Sequence, residues 1–178
     1  EEELKAYLEE NKNVLDTVKH NPDKYQDALG WMDPKEWASD VQLSRLEEKA
    51  KEVQSNADAF VLIGVGGSNN AARAVIKALD PKRSIEVYYA GNTISPYEVN
   101  RLLKKLEKKS VYINVIAKNF ETLEPGIGFR ILRKWLTEQY KDQAFTRIIA
   151  TGTRGSHLEQ LSKENGYTFF TFPDTIGG

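Results

Sequence analysis

Apolar positions recur at helical steps through the first 58 residues. Leu4, Leu8, Leu15 and Val18 fall near one helical face, and Leu43, Leu46, Ala50 and Val53 repeat at steps of three and four. Asn21-Pro22 is placed to open a short helix, and Gly30-Trp31-Met32-Asp33-Pro34 reads as a break. From Ala59 the pattern changes: Ala59-Phe60-Val61-Leu62-Ile63 is a continuous apolar run, the form a parallel strand takes when both its faces are covered. Further strands are expected at 85–89, 111–116, 147–150 and 168–172, separated by helices at 71–79, 96–106, 125–140 and 156–165. Five strands alternating with helices predict an α/β three-layer sandwich. Its five-stranded parallel sheet has right-handed crossovers, preceded by a helical segment over 1–56. The second unit is expected to span 57–178. No repeat of fixed period interrupts this reading.

Composition removes several classes of answer. The chain of 178 residues has no cysteine and two histidines, which excludes disulfides, thiolate metal sites, cysteine nucleophiles and a His-rich metal centre. No apolar run approaches the ~18 residues of a membrane span, so no membrane partner is expected. The net charge of −1 hides an asymmetry. Residues 1–58 hold 15 acidic and 8 basic side chains (−7), and residues 59–178 hold 11 and 17 (+6). Lys104, Lys105, Lys108 and Lys109 cluster without the interleaved aromatics of a nucleic-acid platform, so no nucleic-acid partner is expected either.

Two loops carry the candidate chemistry. Gly64-Val65-Gly66-Gly67-Ser68-Asn69-Asn70 follows the first strand directly. Its glycines allow close backbone approach, and the next helix offers unpaired N–H groups and a positive dipole end to an anion. A dinucleotide fingerprint fails, because Asn69 stands where the last glycine belongs and no acid ends strand two. A Walker loop fails for want of Gly-Lys-Ser/Thr. After strand three comes Lys118-Asn119-Phe120-Glu121-Thr122-Leu123-Glu124-Pro125, rich in donors, with Pro125 in the first helical turn. Each loop also has an ordinary reading, as a β–α turn or as the cap and first-turn acid of a helix. In a sheet of order 2-1-3-4-5 the switch point lies between strands one and three, so the two loops would face one crevice.

At these residues the chain resembles the glucose-6-phosphate isomerase family, in its N-terminal sugar-isomerase (SIS) domain. The matching elements are Ile63-Gly64-Val65-Gly66-Gly67-Ser68, Ala90-Gly91-Asn92-Thr93-Ile94-Ser95, Asn114-Val115-Ile116-Ala117-Lys118 through Pro125, and Pro173-Asp174-Thr175-Ile176-Gly177-Gly178. The resemblance implies a cytoplasmic, cofactor-free isomerase interconverting glucose 6-phosphate and fructose 6-phosphate, dimeric at full length. It further implies that Gly67, Ser68, Lys118, Asn119 and Thr122 hold the phosphate, while Glu124, Gly177 and Gly178 line the sugar side.

Two departures stand out: Ala117 replaces the family's usual Ser before the Lys, and Asn119 its usual Ser or Thr after it. An acid, Glu121, also occupies a commonly neutral position. At ~6 Å and an effective dielectric of ~20 it would repel each phosphate charge by roughly 3 kcal/mol, so it is expected to point away. The family's base Glu, ring-opening His and Lys lie later in its sequence, and His20 and His157 do not match them. The chain therefore reads as the N-terminal part of a longer protein, with no catalytic residue of its own and with a C-terminal SIS domain as partner. The alternatives are a non-catalytic SIS module sensing a sugar phosphate and a different sugar-phosphate isomerase on this fold.

Overall fold

Parallel pairing joins five strands in the order β2-β1-β3-β4-β5. The computed structural model describes residues 2–21, 28–32, 34–35, 37–79, 84–118 and 120–176. The strands are β1 (Ala59–Ile63), β2 (Glu86–Ala90), β3 (Val111–Ile116), β4 (Ile148–Gly152) and β5 (Thr168–Thr171). Between them run α4 (Gly67–Leu79), α5 (Pro96–Leu106), α6 (Leu123–Tyr140) and α7 (His157–Asn165), and a 3-10 turn at Lys141–Arg147 leads into β4. Before the sheet come α1 (Glu2–Asn11), α2 (Val14–Lys19) and α3 (Asp40–Asn56).

Strand periodicity of two divides the core into two faces. Val61, Ile63, Ile113, Val115, Ile148 and Ala150 meet Leu106 of α5, Phe129, Leu132 and Leu136 of α6, and Leu158 of α7. Burying side chains such as Phe129 and Leu136 completely contributes about 1.5–3 kcal/mol each. On the other face Tyr112, Ile149 and Phe170 pack with Val53 of α3, and Ile76 of α4 lines the groove beside it. Helices thus cover both sides of the sheet, and the expected three-layer order is the observed one.

The lead-in differs from expectation. The stripe through Leu4, Leu8, Leu15 and Val18 predicts one amphipathic face, but the helix breaks after Asn11, and Leu4 and Leu8 stay 60% and 59% exposed. The Asn11 side chain donates to the Tyr7 carbonyl at 2.8 Å, the local competition that makes Asn a poor helix interior residue. In α3 only Val53 is buried, so most of that stripe also lies outside the core. Pro22 and Asp33 fall outside the described residues. Further along, Gly30 N–H donates to the Thr175 carbonyl at 3.1 Å and Trp37 Nε1 to the Gly30 carbonyl at 3.0 Å. The segment before α3 is thereby tied to the chain beyond β5.

Candidate functional site

The first loop leaves the sheet without a gap. Gly64 N–H donates to the Ala90 carbonyl at 3.0 Å, extending the β1–β2 ladder by one bond. Gly66 then takes φ +60°, and its carbonyl accepts from the N–H groups of Asn69 and Asn70 at 3.1 and 2.9 Å. The helix starts at Gly67 rather than at the expected residue 71, so Gly67 and Ser68 belong to its first turn. No acidic side chain occupies that turn, which leaves the positive dipole end uncompensated. Asn69 is 2% exposed and donates Nδ2–H to the Gly64 carbonyl at 3.2 Å.

The second loop is held from behind by β4 and the turn after it. Ala117 N–H donates to the Thr151 carbonyl at 3.0 Å, and the Thr153 hydroxyl donates to the Lys118 carbonyl at 2.7 Å. A methyl group on Gly152 would sit 2.9 Å from the Ala117 carbonyl oxygen, so only glycine lets the strands' ends approach this closely. Phe120 adopts φ +64°, a costly conformation for a bulky residue, and its ring packs edge-on to Phe129 with centroids 5.6 Å apart. That anchor leaves Lys118 exposed, its Nζ 3.4 Å from the Ile176 carbonyl. Thr122 occupies the N-cap of α6, yet its hydroxyl makes no capping bond; the expected ordinary cap is absent. Glu124 is half-buried in the first turn, and Glu121 is exposed.

Close contacts bring the loops together. Ile63 pairs with Val115, and a methyl group on Gly64 would lie 3.4 Å from the Ile116 carbonyl oxygen. Gly91, at φ +82°, touches both neighbours: a methyl there would fall 3.0 Å from the Gly64 nitrogen and 3.0 Å from the Pro125 Cα. The turns after β1 and β2 and the start of α6 therefore form one packed unit at the switch point. Gly67, Ser68, Lys118, Thr122 and Glu124 all lie on segments that emerge from it. Asn119, Gly177 and Gly178 lie outside the described residues. Lys118 does reach toward Ile176, the neighbour of Gly177.

His20 and His157 are exposed; His20 Nδ1 lies 2.6 Å from the Asp16 carbonyl oxygen, and His157 stands edge-on to Phe120 of the second loop. Among the described residues no group of three or more metal-ligating side chains gathers, and no helix is long and apolar enough to cross a membrane. Sequence reasoning missed Thr153, Phe120 and the buried carboxamide of Asn69. The run Thr151-Gly152-Thr153 ending an apolar strand was the available signal for the brace. Nothing in the sequence marks Phe120 for positive φ.

The family described as phosphoglucose isomerase matches residues 10–178. A glucose-6-phosphate isomerase from Clostridium perfringens (strain SM101 / Type A) is 37% identical over 187 aligned positions, covering 97% of this chain and 41% of that protein. One from Symbiobacterium thermophilum is 38% identical over 162 positions, covering 84% and 36%. The chain thus spans about two-fifths of the length of the curated relatives it matches. Among solved structures, a hypothetical protein from Thermus thermophilus superposes with a TM-score of 0.79 at 23% identity, over 97% of this chain and 41% of that one. A glucose-6-phosphate isomerase from Chlamydia trachomatis gives 0.68 at 21% identity, over 77% and 26%. At these identities the structures share the fold.

Proposed function

The chain belongs to the phosphoglucose isomerase family, and from that premise we propose that it supplies the phosphate-holding subsite of a glucose-6-phosphate isomerase. The observation that carries this reading is the packing of the turns after β1 and β2 against the start of α6 at the switch point, where a methyl group on Gly91 would fall 3.0 Å from both the Gly64 nitrogen and the Pro125 Cα. In an open α/β sheet this is where ligands bind. Gly67 and Ser68 offer backbone and hydroxyl donors at an uncompensated helix start. Lys118 adds a full positive charge, Thr122 brings a hydroxyl not engaged as a cap, and Asn119 completes the donor set. Glu124, Gly177 and Gly178 take the sugar side.

Aldose–ketose isomerisation moves a proton between C1 and C2 and needs a general base, plus a group to open the ring. Neither role is assigned to a residue of this chain; both are proposed to lie in the length that the relatives have and this chain does not span. On this reading the working enzyme is a cytoplasmic dimer, with a second SIS domain closing the site and no cofactor.

Titration calorimetry with fructose 6-phosphate, alongside a coupled isomerase assay, tests the proposal. The chain should bind the ester weakly and give only background turnover. Ser68→Ala removes a donor to a charged group, worth ~1.5–3 kcal/mol, so affinity should fall about tenfold or more with little change in melting temperature. Binding unaffected by Ser68→Ala would make the glycine loop a structural turn. Enzyme-dependent turnover by the chain itself would overturn the proposed division of labour.

A further inference from the structure

Among the described residues β2 is an edge strand, paired with β1 on one side and with no strand on the other. Its hydrogen-bonding phase follows from two bonds: Glu86 N–H donates to the Asp58 carbonyl, and the Ala90 carbonyl accepts from Gly64. Residues 86, 88 and 90 therefore turn their backbone toward β1, and Val87 and Tyr89 present theirs outward. That outward edge lines a cleft of about 560 Å³.

The cleft is basic on both sides of the sheet. Tyr88 belongs to the face covered by α5 and α6, so Tyr89 belongs to the opposite one. Lys105 Nζ lies 5.8 Å from the centroid of the Tyr88 ring and the Arg73 guanidinium 5.2 Å from that of Tyr89. Neither cation is in an ion pair among the described residues, whereas Arg101, also in the cleft, is matched by Glu98 at 3.1 Å. One positive charge outside any close ion pair thus flanks the edge above the sheet and one below, Lys105 also interacting at longer range with Glu86. Successive side chains of an added strand would point alternately to those two sides.

We propose that the free edge of β2 receives an extended acidic peptide as a sixth strand, its main chain bonding to Val87 and Tyr89 and its carboxylates meeting Arg73 and Lys105. Edge addition takes affinity from main-chain bonds and specificity from the side-chain surroundings, and the +2 imbalance selects acidic over basic segments.

Fluorescence anisotropy with labelled Ac-Val-Glu-Glu-Glu-Val-NH2, whose adjacent glutamates point to opposite sides of the sheet, tests this, with the Lys-for-Glu peptide and an N-methylated acidic peptide as controls. Amide hydrogen exchange at Val87 and Tyr89 is followed by NMR. The acidic peptide should bind and slow exchange at both amides. N-methylation should weaken it at least about tenfold, the equivalent of losing two main-chain bonds. Arg73→Ala and Lys105→Ala, both at exposed helix positions, should each weaken it about two- to fivefold. Val87→Pro removes an outward donor while leaving the β1 ladder intact, and should abolish binding with the helical signal retained. Equal binding of the N-methylated peptide, or binding without protection of Val87 and Tyr89, would overturn the proposal. So would a dimeric chain with those amides already protected, which would assign the edge to a second copy.

Discussion

Thr153 donates its buried hydroxyl to the Lys118 carbonyl at 2.7 Å, which makes the turn after β4 a brace for the loop after β3. The bond spans 35 positions in sequence and fixes the backbone of the residue that brings a full positive charge to the proposed phosphate site. Ser156 continues the arrangement, its hydroxyl donating to the Thr153 carbonyl at 2.7 Å and accepting from Glu159 N–H at 3.2 Å. Lys118 is thus positioned from the neighbouring β–α unit as well as from its own.

Thr153→Val keeps the shape and removes the hydroxyl, leaving the Lys118 carbonyl without that partner. The bond is part-buried, and losing it costs about 0.5–1.5 kcal/mol. Urea unfolding should show a loss in this range, and fructose 6-phosphate affinity should fall as the loop loosens. A variant with wild-type midpoint and affinity would show that the bond does not hold the loop.

Asn69 fastens the other loop, because its Nδ2 bonds the Gly64 carbonyl in the interior. Its Oδ1 is buried without a partner among the described residues. Asn69→Leu loses the bond but also that unpaired acceptor, so the two effects offset in part. Asn69→Asp turns the donor into a carboxylate oxygen facing a carbonyl, adding the cost of a buried charge. The Asp variant should be the less stable by at least about 1 kcal/mol in urea denaturation. The reverse order would mean that the carboxamide does not engage Gly64.

The sheet was legible because each strand is a short, mostly apolar run bounded by turn residues, and serial strand–helix units give parallel pairing; the observed order is the expected doubly wound one, with β1 between β2 and β3. The boundaries of β1, β3 and α5 match expectation, whereas α4 starts four residues early because Gly66 at φ +60° lets the chain turn directly into a helix at Gly67. The first helices were legible as helices, but not how they pack. Periodicity reports that Leu4 and Leu8 share a face, not that anything covers it, and here both are exposed. In the site, the two donor loops could be found from residue types alone. The Thr153 brace and the Phe120 anchor could not, since each depends on which loop the sheet order sets beside which.

Glu159 supplies a pH-dependent contribution near the brace. Lys163 at 2.9 Å, then the Gly155 N–H at 2.6 Å, hold its carboxyl below the ordinary value of 4.5. A folded-state value below the unfolded one stabilises the fold above the unfolded value, and the contribution is lost as pH falls through the folded value. Melting temperatures of the wild type and Glu159→Gln should therefore differ at pH 7, with the wild type higher. The gap should close as the pH drops below 4.5. A gap independent of pH would assign the effect to packing.

Lys118 and Glu121 lie three positions apart in the same loop with opposite charges, and only one of them is assigned to the phosphate. Lys118 is exposed, with its Nζ turned toward the Ile176 carbonyl at 3.4 Å, a weak contact that a dianion would outcompete. Lys118→Ala should therefore cost on the order of 2 kcal/mol in fructose 6-phosphate binding, close to thirtyfold. Glu121 is also exposed, and on the proposed reading its carboxylate points away from the ligand. Glu121→Thr should then change affinity by less than about threefold, below ~0.7 kcal/mol. Both variants have to be compared at one ionic strength, because an open crevice is screened within ~8 Å at physiological salt. Tightening by tenfold or more in Glu121→Thr would place the acid against the ligand. A phosphate dianion could not be the natural guest of a site so arranged, and a less charged ester would take its place in the proposal.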